Sequence, residues 1–271
     1  MLWVLTGAVL TGNLQSAVGA IPSGGAPGSG LAQSLLHAGV LLAALALWAR
    51  YLDRRQLGAY GASATPGWLL DALVGFSAVA LGFVAWNVLG AALGTMTVAV
   101  GPSLPEGSVL SGLAVPLLAL SLHAAAQQVV FFGVALRCAA EGLHSRGLAP
   151  QRAGLVALPV AAALFVLMHG EVTVLRTLDL AVAGGVFGLL YLQSGELAFG
   201  IGAHVGALYG GIVLSAVLRT GGSLPGVLGV SGQYGFPKMM LGYLLVLAWL
   251  RVRERGLAVQ GRSAPWTAGE A

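Results

Sequence analysis

Two adjacent glutamines and three histidines are the residues of this chain whose types and spacing could do chemistry. Gln127 and Gln128 lie inside an apolar run, His123 precedes Gln127 by four residues, and His169 and His204 follow in later apolar segments. The four-residue spacing places His123 and Gln127 on one helical face. An imidazole can take a proton or bind a metal, whereas an amide forms hydrogen bonds but has essentially no basicity near neutral pH. The set therefore offers hydrogen-bonding groups and imidazoles, without a carboxylate at its centre.

The stretch Gln127-Gln128-Val129-Val130-Phe131-Phe132 resembles, with its charges removed, the Glu-Glu-x-x-x-Arg signature of the CAAX-protease and bacteriocin-processing family of intramembrane proteases. Phe165 and His169 match the family's second motif, Phe-x-x-x-His. His204 occupies the place of the third motif, His-x-x-x-Asn, with Leu208 where Asn is usual. The resemblance covers about residues 50–218. The chain is thereby identified as a degenerate member of this family.

The resemblance implies what each matching position would do. In active members a Glu acts with a His to activate water for peptide hydrolysis inside the membrane, and a second His and an Asn steady the oxyanion. Gln127 cannot accept a proton from water. Phe132 removes the cation that would pair with the missing carboxylates, because an unpaired Arg would be costly at this depth. The resemblance assigns Gln127, Gln128, His169 and His204 to the catalytic positions and favours lost catalysis, and it leaves enzyme activity open.

Other interpretations of the same residues stay open. The glutamines could serve only to join helices by hydrogen bonds, and the histidines could be structural. His123, His169 and His204 could form a three-imidazole zinc site, although the sequence names no acceptor to orient them, so we expect neither a metal nor a cofactor. Glu171 could replace the missing base, but its position beside Gly170 is more typical of a solvated loop.

Composition defines the class of protein. Of the 271 residues, 57% are hydrophobic and only 8% are charged, with a mean hydropathy of +0.88. Several apolar segments reach the roughly 20 residues that a helix needs to cross a bilayer, and they lack the alternation of a transmembrane β-strand. The single Cys138 excludes an intrachain disulfide. The sequence predicts an all-α, polytopic transmembrane helical bundle.

The apolar segments predict about eight crossings, or seven if the first is not a span. They cover residues 2–20, 31–48, 68–98, 109–136, 153–169, 178–192, 197–217 and 239–250. Ten of the thirteen basic residues fall on one side, which places both termini in the cytoplasm and only Arg176, Arg219 and Lys238 outside. Counting about 1.5 Å per residue from the cytoplasmic helix ends places His169 farther across the membrane than His204.

The chain divides into four predicted regions. Residues 1–30 form a membrane segment and loop, and residues 31–108 form two transmembrane helices with a basic cytoplasmic connection. Residues 109–218 form the CAAX-protease-like core, and residues 219–271 form the last transmembrane helix and a cytoplasmic tail. Within the core, Gly184, Gly185 and Gly188 indicate close helix packing. Glu141 and His144 are expected to be solvated residues of a cytoplasmic connection.

These observations predict an integral membrane protein, with a bacterial inner membrane favoured. Its expected role is that of a noncatalytic scaffold or membrane-peptide-binding partner, and its expected partners are membrane lipid, a transmembrane peptide or another membrane protein. The alternative is an active intramembrane endopeptidase that processes prenylated, bacteriocin or surface-sorted substrates. The dispersed positive charge gives no nucleic-acid patch. A transporter is disfavoured because the sequence shows few intramembrane charges.

Overall fold

The computed structural model describes residues 39–94, with single gaps at 41, 44, 48 and 52, and residues 97–100, 109–170, 173–221 and 236–254. The predicted first span, at residues 2–20, and the tail lie outside these ranges. The described chain is helical between residues 39 and 51 and forms a 3₁₀ turn at Leu57–Tyr60. Seven helices follow: α1 (Pro66–Ala92), α2 (Val109–Gln128), α3 (Arg137–His144), α4 (Pro150–Leu167), α5 (Val174–Ser194), α6 (Ala198–Val217) and α7 (Phe236–Glu254).

Two elements depart from regular α-helix. A π-helical segment, Val129–Leu136, joins α2 to α3 without a break in the chain's helical path. A short antiparallel ribbon pairs β1 (Thr97–Val100) with β2 (Leu218–Gly221), with Thr97 opposite Gly221. The ribbon lies beyond the end of α1, so the predicted span at 68–98 is too long, and the helix ends at Ala92.

The helical class is confirmed. Four helical stretches among the described residues are long and apolar enough to cross a membrane, namely Pro66–Ala92, Leu117–His144, Pro150–Leu167 and Val174–Ser194. Large apolar side chains such as Leu73, Val88 and Leu167 are exposed on their outer faces. Such faces suit lipid, because every backbone group of a helix is paired within the helix.

Helix ends follow from local chemistry. Thr65 caps α1 by accepting a hydrogen bond from the Trp68 amide at 3.2 Å, and Pro66 occupies the first turn, where a missing N–H does no harm. Gly195 closes α5 in the left-handed region at φ 73°, which a glycine adopts without strain. Only residues 195–197 then separate α5 from α6. The predicted spans at 178–192 and 197–217 are therefore joined by a tight turn.

Glycines let α1 lie directly against α6. A Cβ on Gly202 would strike the carbonyl of Ala72, and one on Gly206 would lie 2.6 Å from the carbonyl oxygen of Phe76. Gly75 makes the reciprocal approach from α1 to α6. Such backbone-to-backbone packing is typical of helices that associate within a bilayer. The hydrophobic effect does not drive association there, because lipid tails are as apolar as the side chains.

The predicted role of the α5 glycines is confirmed for two of three. A Cβ on Gly184 would lie 3.3 Å from the Cα of Ala162, and one on Gly188 would overlap the side chain of Leu158, so both positions hold α5 against α4. A Cβ on Gly185 would meet nothing within 4 Å. Gly185 therefore takes no part in this packing.

Glu141 is partly solvated, but it is not an independent surface charge. Its carboxylate accepts hydrogen bonds from Arg137 Nε at 2.8 Å and from Arg55 Nη1 at 2.8 Å, and Arg137 also donates to the carbonyl of Ala59. The bond to Glu141 is the main reason that the pKa of Arg55 is raised above its ordinary value. Two basic segments far apart in sequence thus meet at one end of the bundle, where residue patterns alone suggested independent charges.

The same end of the bundle is closed by a loop. Tyr60 donates a hydrogen bond to Asp53, and burial together with this bond raises the pKa of the Tyr60 hydroxyl. The carbonyl of Gly61 accepts from the Leu197 amide at 2.8 Å and from Trp68 Nε1 at 3.0 Å. These bonds tie the loop before α1 to the turn between α5 and α6, which fixes the height at which α6 begins.

Candidate functional site

The site lies where the end of α2, the π-helical segment, the end of α4 and the first two turns of α6 meet. Gln127 and Gln128 are 1% and 0% exposed, which makes them two of the most deeply buried polar side chains described. His123 and His204 are each 5% exposed. An amide or imidazole at this depth must find a partner or carry a desolvation penalty.

Gln128 and His204 find each other. The Gln128 amide nitrogen lies 3.3 Å from His204 Nδ1, across the interface between α2 and α6. When the amide donates to Nδ1, the proton of the neutral imidazole lies on Nε2. Gly200, one turn before His204, leaves room for this contact, because a Cβ there would lie 2.7 Å from Gln128 Oε1.

Phe165 and Phe187 hold the two later histidines in place. The ring centroid of Phe165 is 4.7 Å from that of His169 and 5.8 Å from that of His204, both edge-on. Phe187 stacks on His204 with centroids 4.8 Å apart and an angle of 25° between the planes. The histidines of the second and third motifs therefore share one aromatic wall, at a similar depth in the bundle.

The predicted offset in depth between His169 and His204 is wrong. Counting from each helix's cytoplasmic end assumed that α4 and α6 begin at the same height, yet both rings contact Phe165. The helix α4 runs through Pro159 to Leu167, and His169 lies in the turn beyond it. The helices α4 and α6 must therefore begin at different heights.

His169 has a defined tautomer. Its Nδ1 lies 2.7 Å from the carbonyl oxygen of Phe165, and a carbonyl can only accept, so Nδ1 carries the proton in the neutral ring. The lone pair is then on Nε2. His169 consequently presents an acceptor, whereas His204 as described presents a donor.

His123 and Gln127 remain unsatisfied. Both ring nitrogens of His123 and the Oε1 atoms of Gln127 and Gln128 are buried with no hydrogen-bond partner in the part of the chain that the structure describes. Each such group costs about 1–3 kcal/mol when buried. Glutamines that served only to join helices would have their atoms paired, so this concentration of unpaired groups on one helical turn is typical of a functional site.

His123, His169 and His204 lie within electrostatic range of one another. In the described part of the chain, however, no three His, Cys, Asp or Glu side chains are arranged so that they could hold a metal ion. The geometry gives the three-imidazole zinc alternative no support. Glu171, the alternative base, lies outside the described residues.

Phe132 stands where the family motif has Arg, and it is fully buried in an aromatic cluster. Its ring centroid lies 6.0 Å from that of Phe165 and 6.1 Å from that of Phe187. Phe132 lies in the π-helical segment that begins at Val129, in which each turn holds about one residue more than in an α-helix. The place of a cation is therefore occupied by packed apolar rings.

Two residues near the site were not predicted from the sequence. Arg176 was placed outside the membrane, yet it lies within electrostatic range of both His169 and His204. Its Nη1 is 2.5 Å from Oδ2 of Asp179, a carboxylate that is 4% exposed. The signal was available, since an acid three residues after an arginine inside an apolar helix indicates an internal ion pair.

The fold and site define a class, a helical membrane protein whose bundle encloses an amide and imidazole cluster. Residues 108–209 match the family model described as Rce1-like, type II CAAX prenyl endopeptidase. The match over these residues confirms the resemblance to the CAAX-protease family that was predicted from the motifs. Searches of curated proteins and of solved structures gave no match.

Proposed function

We propose that the protein is a noncatalytic member of the CAAX-protease family that binds a membrane-embedded peptide or protein partner through the Gln127–His204 region. The observation that carries the proposal is the contact between Gln128 and His204 at 3.3 Å. At the family's acid position an amide now satisfies the imidazole. An amide cannot draw a proton from water, and burial cannot tune it to do so.

The electrostatic surroundings of His204 support this proposal. Among the described residues, the titratable groups that interact electrostatically with its ring are His123, His169 and Arg176, and none of them is a carboxylate. A general base needs an acceptor close to neutral pH, and a neighbouring acid is the usual way to orient and strengthen a histidine. In the described part of the chain, the charged neighbour of His204 is instead a cation, Arg176.

Binding explains why polar groups are kept after the acid is lost. The unpaired atoms of His123, Gln127 and Gln128 would gain hydrogen bonds from a ligand that carries N–H or O–H groups. A regular transmembrane helix has no free backbone donors, so such a ligand would use a side chain or an unwound segment. The aromatic wall of Phe165 and Phe187 supplies apolar contact beside these groups.

One observation favours the alternative of an active endopeptidase. The proton on His169 Nδ1 is held by the Phe165 carbonyl, so Nε2 is free to accept a proton from water. In that mechanism the glutamines would orient the water. Among the described residues no carboxylate interacts with His204, and this makes the active endopeptidase the second choice.

The experiment uses the purified protein in liposomes with transmembrane peptides that carry a photoreactive benzophenone group. We expect crosslinking to the protein without cleavage, as read by mass spectrometry, and we expect His204→Ala to reduce the crosslinked fraction. Arg251→Ala, at the far end of α7, is the matched control. Peptide cleavage that disappears in His169→Ala would overturn the proposal in favour of the active enzyme.

We also propose the finer topology: about eight crossings, both termini in the cytoplasm, and residence in a bacterial inner membrane. The shared bonding of Arg55 and Arg137 to Glu141 supports one part of it, because both basic segments then lie at the same end of the bundle. Labelling of single cysteines placed at residues 5 and 265 in intact and permeabilised cells tests the orientation of the termini.

A further inference from the structure

A second polar cluster lies in the bundle, outside the glutamine and histidine site. It consists of Arg176 and Asp179 on α5 and Lys238 on α7, and it goes beyond the proposed function. Asp179 is 4% exposed and Lys238 is 8% exposed. Asp179 lies within the predicted span at 178–192, and Arg176 and Lys238 lie just before the predicted spans at 178–192 and 239–250. Charged groups at such depth are expensive and are retained mainly where they bind something.

Asp179 is only half satisfied. Its Oδ2 accepts from Arg176 Nη1 at 2.5 Å, whereas its Oδ1 is buried with no hydrogen-bond partner among the described residues. The Arg176 side chain is 44% exposed and the Asp179 side chain is 6% exposed. The arginine therefore reaches outward while the carboxylate stays inside with one oxygen lacking a donor.

Lys238 is the complementary group. Its Nζ lies 4.8 Å from the ring centroid of Phe83. Asp179 interacts with it electrostatically but does not bond to it. A ring face offsets part of the desolvation of an ammonium but leaves its three N–H groups unused.

The cluster lies at the N-terminal ends of α5 and α7. Arg176 and Lys238 are each the third residue of their helices, and Asp179 is the sixth of α5. The first turns of α5 and α7 direct their unpaired N–H groups and the positive ends of their dipoles toward this region. The opposite end of α5 carries the Gly195 turn, so the cluster lies away from the Arg55–Glu141–Arg137 network.

The unused groups specify the chemistry of a ligand. Asp179 Oδ1 requires a hydrogen-bond donor, best a charged N–H, whereas Lys238, Arg176 and two helix N-termini require an anion. A simple cation would be repelled by the two basic side chains, and a simple anion would leave Oδ1 unsatisfied. One group that carries both an ammonium and an anion meets both requirements.

We propose that Asp179, Arg176 and Lys238 form a binding site for a zwitterionic ammonium–phosphate headgroup, that of phosphatidylethanolamine. The ammonium donates to Asp179 Oδ1, and the phosphate is held by Lys238 and Arg176. The depth suits a lipid, because the cluster lies within the first two turns of helices that are long enough to enter the bilayer. A choline headgroup has no N–H to donate, and a glycerol headgroup has no ammonium.

The test compares lipids on the intact protein by native mass spectrometry from mixed micelles. Phosphatidylethanolamine, its monomethyl and dimethyl forms, phosphatidylcholine and phosphatidylglycerol are supplied with identical acyl chains. We expect retention to fall stepwise as N–H groups are lost, with about tenfold weaker binding of phosphatidylcholine, since a hydrogen bond to a charged group is worth about one decade in affinity. Equal retention of ethanolamine and choline lipids, or preference for phosphatidylglycerol, would overturn the proposal.

Variants locate the site. Asp179→Asn and Lys238→Met should each abolish the preference for ethanolamine, whereas Arg251→Met at the exposed far end of α7 should preserve it. Competition by soluble phosphoethanolamine would show that the headgroup alone is recognised, and lack of competition with retained lipid would show that the acyl chains are also needed. If a variant does not fold, the methylation series on the unaltered protein still decides. Loss of peptide crosslinking with intact lipid preference would refute the proposed function only.

Discussion

Gln128 and His204 meet across the interface of α2 and α6, with the amide nitrogen 3.3 Å from Nδ1 and the carbonyl end of the amide against Gly200. The contact ties the first motif to the third although 76 residues separate them. It also explains how the bundle tolerates an imidazole at 5% exposure. The side chain that hydrogen-bonds to His204 among the described residues, Gln128, is neutral. The pair can stay in place without any ionised group.

The first prediction concerns this pair. Gln128→Leu keeps the approximate size of the side chain but leaves His204 Nδ1 buried and unpaired, so we expect the free energy of unfolding to fall by about 1–2 kcal/mol. The measurement is the midpoint of unfolding in a sodium dodecyl sulfate titration, followed by circular dichroism. Gln56→Leu, at an exposed loop position, is the control and should change little. An unchanged midpoint in Gln128→Leu would show that the pair contributes nothing.

The second prediction restores the family's charges. If loss of the acid is what abolished catalysis, the combined variant Gln127→Glu, Gln128→Glu and Phe132→Arg should cleave transmembrane peptides that the unaltered protein only binds. The two glutamate substitutions alone should not, because two adjacent buried carboxylates without a cation favour their protonated forms. The readout is peptide fragments by mass spectrometry.

The control for the restored charges is the same triple variant with His204→Ala, which should not cleave the peptides. The added arginine must also displace rings of the aromatic cluster, so the fold of each variant is checked by its circular dichroism spectrum. Cleavage by a folded glutamate double variant that lacks Phe132→Arg would contradict the part assigned to the cation.

The third prediction tests the glycine packing that positions His204. Gly202→Ala would drive a methyl group into the carbonyl of Ala72, and backbone on both sides cannot yield without separating α1 from α6. We expect destabilisation of about 2–4 kcal/mol, as for other overpacked or strained core positions. Unfolding midpoints measure it, and crosslinking of peptide should fall in parallel because His204 lies on the displaced helix.

Gly185→Ala provides the matched control for Gly202→Ala. It makes the same chemical change in a membrane helix, but its Cβ would meet nothing within 4 Å. Helix propensity predicts no loss and up to about 1 kcal/mol of gain. Equal destabilisation of the two variants would mean that alanine substitution itself, rather than the contact with α1, is responsible.

The sequence predicted those parts of the molecule that depend on residue type and order. Apolar segments predicted the helical class, and the family resemblance assigned Gln128, His169 and His204 to one site. In the structure Gln128 contacts His204, and His169 and His204 both contact Phe165. The turn at Gly195 was also predictable, since a glycine after an apolar run is a strong signal for a helix end.

The remainder depends on distances between helices, which a sequence pattern does not contain. Residue counting placed His169 too deep because the heights at which α4 and α6 begin are set by tertiary contacts. The π-helical segment after Gln128 has the same composition as an α-helix, so periodicity could not show it. Only the fold brings Arg55 to Glu141 and places Lys238 within electrostatic range of Asp179.

The last prediction concerns the network at Glu141. Arg137 is only 7% exposed, and Glu141 holds both its Nε and the Nη1 of Arg55. Glu141→Gln keeps the size of the side chain but removes the negative charge from between two guanidinium groups. We expect the free energy of unfolding to fall by about 1–2 kcal/mol, a value held down because Arg55 and Glu141 are partly solvated. Arg146→Gln, an exposed charge in the same connection, is the control and should shift the unfolding midpoint little.

Because Arg137 also donates to the carbonyl of Ala59, the Arg137 side chain in Glu141→Gln should become more mobile but keep its place. Limited proteolysis in the loop at residues 53–65 should therefore accelerate. Proteolysis at an unchanged rate, with an unchanged midpoint, would show that Arg137 is held by the Ala59 carbonyl alone and that the ion pairs do not close this end of the bundle.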